Sequence, residues 1–106
     1  MVTQLTDADF NEKVTKASGP VAVDFWAEWS GSSRAATLFL DAAAESLSGR
    51  AQVMRLNVDD ANRTAMANAI RTVPTTVLFA DGKPKASTTQ RFQSDAEFTA
   101  WVESAL

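Results

Sequence analysis

Hydrophobic residues along the chain fall in short runs whose spacing switches between the period of a strand and that of a helix. Val2 to Leu5 reads as a short strand, stopped by the polar stretch Thr6-Asp7-Ala8-Asp9. Thr6 as N-cap with Asp9 three residues on has the form of a capping box. It opens a helix through about Lys16, with Phe10 and Val14 on one face. Ala17-Ser18-Gly19-Pro20 breaks that helix. Val21 to Trp26 is apolar at both parities, the pattern of a central strand covered on both sides. After a loop from Ala27 to Gly31, the residues from Ser32 or Ser33 to Leu47 read as one long helix. Leu38, Phe39, Ala42, Ala43 and Leu47 are its core-facing candidates, and Ser48-Gly49 ends it.

The second half repeats the alternation. Gln52 to Val58 predicts a strand, and Asp59-Asp60 caps a short helix carrying Ala65, Met66, Ala69 and Ile70. Thr75 to Ala80 is a β-branched strand, and Asp81-Gly82 signals a hairpin into a last strand from about Pro84 to Thr89. Ser94-Asp95-Ala96-Glu97 is a second capping box, opening a C-terminal helix with Phe98, Trp101 and Val102 on one side. The order is β-α-β-α-β-α-β-β-α. Its βαβ units require parallel strands and its hairpin an antiparallel pair, so the fold class is α/β, a central mixed β-sheet flanked by helices on both faces.

Composition narrows the function. A chain of 106 residues, 45% of them hydrophobic, suits one domain over 1–106. Its net charge of -3 offers no basic stripe for nucleic acid, and no apolar run approaches the length of a membrane span. The start Met1-Val2-Thr3-Gln4 lacks the basic and apolar regions of a secretory signal, so a cytoplasmic location is expected. Three residue types are missing altogether: Cys, His and Tyr. Without Cys there is no disulfide, thiolate or Cys-ligated metal, and without His the commonest general base and metal ligand are gone. No metal or cofactor is expected.

What chemistry remains centres on Val23-Asp24-Phe25-Trp26-Ala27-Glu28-Trp29-Ser30-Gly31-Ser32-Ser33-Arg34. Ser30 at a helix start is, on residue preference, an ordinary N-cap. As a hydrolytic nucleophile it would need a base within hydrogen-bond reach, and the lysines (Lys13, Lys16, Lys83, Lys85) lie in segments away from that helix start. Asp24, an acid in an apolar strand, is either a strand-end residue reaching solvent or a buried carboxyl in need of a cation.

The same segment closely resembles the active-site segment of the thioredoxin family, in which a buried strand ending Asp-Phe-Trp-Ala leads into Trp-Cys-Gly-Pro-Cys-Lys/Arg. Similarity continues in Arg55-Leu56-Asn57-Val58-Asp59, in Ile70-Arg71-Thr72-Val73-Pro74-Thr75 and in Phe79-Ala80-Asp81-Gly82-Lys83, and covers essentially the whole chain. The resemblance implies the thioredoxin fold and a protein disulfide oxidoreductase site. Ser30 and Ser33 then occupy the two cysteine positions, Asp24 matches the family's buried acid, and Arg55 stands where a lysine usually partners that acid. Trp29, Gly31, Ser32, Val73, Pro74 and Gln90 fall on the substrate side, with Val73–Pro74 expected as a cis bond. In the family, the helix N-terminus stabilises the first cysteine as a thiolate. An alcohol's pKa lies several units higher, and a helix dipole worth about 0.3–1 kcal/mol does not close that gap. The expected state is redox-inactive.

Three further departures stand out. Ser32 replaces the proline between the cysteines, Leu38 replaces a kink-forming proline, so a straighter helix is expected, and Gln90 replaces a glycine of the substrate groove. Two functions are compatible with this pattern. One is an oxidoreductase silenced by Cys→Ser replacement, by design; the other is a non-enzymatic binding module or redesigned scaffold that keeps the fold. Protein or peptide clients at the Trp29/Pro74 face are the expected partners, on a monomer or a weak homodimer through that face.

Overall fold

The structure, a computed structural model, describes residues 2–106. Five strands form one sheet in the order β1-β3-β2-β4-β5: β1 (Thr3–Leu5), β2 (Val21–Trp26), β3 (Gln52–Asn57), β4 (Thr75–Ala80) and β5 (Lys83–Thr88). β3 runs parallel to β1 and β2, whereas β4 is antiparallel to β2 and β5. The mixed sheet expected from the element order is therefore present.

Alternation along β2 divides the core into two layers. Val21, Val23 and Phe25 pack with Leu5, Val14, Leu56, Ala61, Ala65 and Phe79 on one face. That side is covered by a π-helical segment (Asn11–Thr15) and helix α3 (Asn62–Ala67). Ala22 packs on the other face with Leu40, Ala43, Leu47, Leu78, Phe98 and Val102, beneath helices α1 (Gly31–Ala36), α2 (Leu40–Ser46) and α4 (Asp95–Ala105).

Local signals explain most element ends. Thr6 and Asp9 exchange hydrogen bonds, Thr6 N–H to Asp9 Oδ1 at 2.7 Å and Asp9 N–H to Thr6 Oγ1 at 3.2 Å. Ser94 caps α4 by accepting from Glu97 N–H at 3.2 Å, while Glu97 Oε1 accepts from Gln93 N–H. The Asp81-Gly82 hairpin has positive φ at both residues, 54° and 78°, as a two-residue I′ turn requires. Gly82 has a second constraint: a Cβ there would stand 2.2 Å from the Thr15 carbonyl oxygen.

Three expectations need correction. The first helix, expected from Thr6 to about Lys16, is the π-helical segment Asn11–Thr15, whose N-cap Phe10 makes no side-chain cap hydrogen bond. The helix from Ser32 to Leu47 is not continuous, let alone straighter: it breaks between α1 and α2 with no proline present. Thr37, Leu38 and Phe39 donate instead to the carbonyls three residues back, and Phe39 sits at φ −131°. The break re-phases the helix, so Leu40, Ala43 and Leu47 point inward, Leu38 is 90% exposed and Ala42 is also exposed. Asp59 and Asp60, likewise, do not cap α3. That role falls to Asp7, whose Oδ1 accepts from the backbone N–H and the hydroxyl of Thr64 at 2.8 and 2.6 Å. Ala69, at φ 57°, and Ile70 lie beyond its end. The cap is distant in sequence, so no local pattern marks it.

Candidate functional site

Parity and register bring Asp24 and Arg55 together. They are paired residues of the parallel strands β2 and β3, on the face covered by α1 and α2. Arg55 Nε donates to Asp24 Oδ2 at 2.8 Å, and each residue is only 3% exposed. Asp24 is thus an interior group and not a strand-end acid in solvent. Burial pushes its carboxyl above the ordinary 3.8, with the charge and hydrogen bond of Arg55 opposing.

The rest of the Arg55 guanidinium fork is also used. Nη1 donates to Thr37 Oγ1 at 2.6 Å and Nη2 to the Ser33 carbonyl at 2.7 Å, while the guanidinium carbon lies 4.2 Å from the Trp26 ring centroid. The Ser33 carbonyl is the group that the Thr37 N–H would meet in an unbroken α-helix. With Arg55 on that carbonyl, Thr37 N–H turns to Arg34 O at 3.1 Å. A buried arginine therefore holds a helix break in a segment that contains no proline.

The two serines at the helix start differ sharply. Ser30 is the N-cap of α1, extended at φ −97° and ψ 117°, and its Oγ accepts from Ser33 N–H at 3.3 Å. Ser33 is fully buried, and its hydroxyl has no hydrogen-bond partner among the described residues. Neither oxygen contacts a base. Among the described residues no group of three or more His, Cys, Asp or Glu side chains could hold a metal ion.

Around this start the remaining candidates line several hollows, one of them, of about 440 Å³, shared by Val73 and Pro74. Asp24, Ser32, Pro74, Thr76 and Gln90 line a cavity of about 10 Å³, enough for roughly one water. The Val73–Pro74 peptide bond is cis and Pro74 is buried. Trp29 and Val73 border a separate hollow of about 140 Å³ with Met66 and Ile70. Trp29 is 68% exposed, yet its Nε1 donates to Asp59 Oδ2 at 2.9 Å, and Arg34 anchors the loop through the Glu28 carbonyl at 2.6 Å. At Gly31 an added Cβ would meet only Arg34 at 4.0 Å, so packing does not demand glycine there.

Two participants escaped sequence reasoning. Asp59 adjoins the strand that carries Arg55, and its pairing with an indole across thirty residues has no local signature. Thr37 lies in what reads as unbroken helix, and only the position of Arg55 gives its hydroxyl a role.

A mixed sheet in the order β1-β3-β2-β4-β5, helices on both faces and a site where β2 runs into α1 define the thioredoxin fold. The family model described as Thioredoxin matches residues 1–104. A thioredoxin from Pseudomonas aeruginosa is 40% identical over 86 residues, covering 81% of this chain and 80% of that protein. One from Rhodospirillum rubrum is 36% identical over 103 residues, 97% and 98% of the two chains, and one from Acidithiobacillus ferridurans is 36% identical over 105 residues, 99% and 96%. The chain belongs to the thioredoxin family, and it contains no cysteine.

Proposed function

We propose that this chain is a redox-silent thioredoxin in which Ser30 and Ser33 stand at the positions of the two exchanging cysteines. One observation carries the proposal: the Ser33 hydroxyl is fully buried without a hydrogen-bond partner among the described residues. Such a hydroxyl costs about 1–3 kcal/mol, whereas a thiol, a weak donor that packs as a small hydrophobe, suits a buried position without a polar partner. Ser30 fits its own position as a cap, but an alcohol there cannot form the exchangeable bond. The chain as it stands is thus no oxidoreductase, and a cytosolic address accompanies this function.

What is retained is a client-facing surface. Trp29 is an exposed aromatic held in one orientation by Asp59, a form of contact residue with little ordering entropy left to lose. Protein or peptide clients would meet it beside Val73 and Pro74. Gln90, exposed at the cavity shared with Pro74, favours the alternative of a non-enzymatic binding module or redesigned scaffold, because it adds a side chain to that surface.

The deciding experiment is the double substitution Ser30→Cys plus Ser33→Cys, assayed for dithiol-dependent reduction of a model protein disulfide. Activity well above the parent chain is expected. Background activity in a folded double variant would sink the silenced-oxidoreductase reading and leave the binding module.

A further inference from the structure

A groove of about 650 Å³ runs between α1 and the segment leading into α4, apart from the hollow beside Trp29. Its apolar lining includes Ala35, Leu38 and half-buried Phe39; its charged lining is Arg91 and Asp95. Leu38, 90% exposed, is more exposed than Trp29 or Met66. The helix break that Arg55 holds is what turns it outward. Neither Arg91 nor Asp95 makes an ion pair or a side-chain hydrogen bond among the described residues.

We propose that this groove is the contact surface for a second copy of the same chain. A two-fold interface sets one patch against itself, so the patch must carry its own complement. This one does: it has an apolar knob and a hollow, and one unpaired cation with one unpaired anion. Rotation about a two-fold axis can seat Leu38 of each copy in the other's groove and bring each Arg91 to the facing Asp95. A foreign partner would require only one of each. The patch is small, and each chain carries a charge of -3, so association is weak, populated at about 0.1–1 mM chain.

The test is sedimentation equilibrium on the full chain and surface variants, with circular dichroism to show that each is folded. The parent should rise from its 11.4 kDa monomer toward twice that mass as concentration increases. Leu38→Glu should stay monomeric. Arg91→Asp and Asp95→Arg should each weaken association about tenfold, and the two together should restore it to within about threefold, since the facing charges are only exchanged. A parent monomeric throughout overturns the proposal, as does association that survives Leu38→Glu or a double exchange that fails to recover. So does association abolished by Trp29→Ala, because that places the interface on the other face. None of these outcomes depends on whether Ser30 and Ser33 replace cysteines.

Discussion

Ser30 and Ser33 are the same residue type three positions apart, and the fold gives them opposite energetic signs. Ser30 satisfies an orphan N–H at the start of α1, a contact whose loss costs about 1 kcal/mol in typical caps. Ser33 buries a hydroxyl oxygen with no hydrogen-bond partner among the described residues. Ser30→Ala should therefore destabilise the chain by about 1 kcal/mol, and Ser33→Ala should stabilise it by about the same amount. Urea unfolding of the two variants and the parent checks both signs. If Ser33→Ala destabilises, the hydroxyl has a partner or the methyl leaves a void, and the physical support for a displaced thiol at that position goes with it.

Among the elements, the break between α1 and α2 is decided by strand β3. The Ser33 carbonyl and the Thr37 hydroxyl are both held by Arg55, which also neutralises Asp24. Arg55→Met would leave a buried carboxylate without its cation and two oxygens without their donor. The expected loss is about 3–5 kcal/mol at neutral pH. Adding Asp24→Asn should recover part of it, because the uncompensated charge goes while the lost hydrogen bonds at Ser33 and Thr37 remain unmade. A double-mutant cycle by urea unfolding measures that recovery. Additive losses would mean that Asp24 and Arg55 do not depend on one another.

For the whole molecule, the carboxyls give acid pH two opposing effects. Asp7 is held below 3.8 chiefly by the Thr64 hydroxyl, with help from the Thr64 N–H, and Asp9 is held below 3.8 chiefly by the Thr6 N–H. A depressed carboxyl contributes stability above its unfolded value, and that contribution is lost as pH falls through the lower folded value. Asp24 runs the other way. Its folded value lies above 3.8, so its contribution is fully present below 3.8 and is lost as pH rises through the folded value. Asp7→Asn should accordingly flatten the fall in urea midpoint below about pH 4, whereas Asp24→Asn should improve relative to the parent as pH rises above it. Identical pH profiles for parent and Asp24→Asn would show that Arg55 cancels the burial of Asp24 completely.

Short-range physics made much of this legible from the residues alone. The reciprocal Thr6–Asp9 hydrogen bonds, the Ser94–Glu97 cap, the Asp81-Gly82 turn and the two-sided burial of Val21–Phe25 depend on neighbours a few positions away, or on a period the chain displays openly. The absence of cysteine and histidine, which removes thiol exchange and imidazole chemistry, is likewise a property of sequence. Tertiary structure decided what depends on partners distant along the chain. Asp7 caps a helix fifty-seven residues away, Asp59 pins Trp29, and Arg55 breaks a helix whose own residues predict continuity. The break leaves Leu38 in solvent where helical periodicity puts it in the core. In each case the deciding group is a buried or paired polar atom, and its preference among acceptors is set only when the sheet brings them within reach.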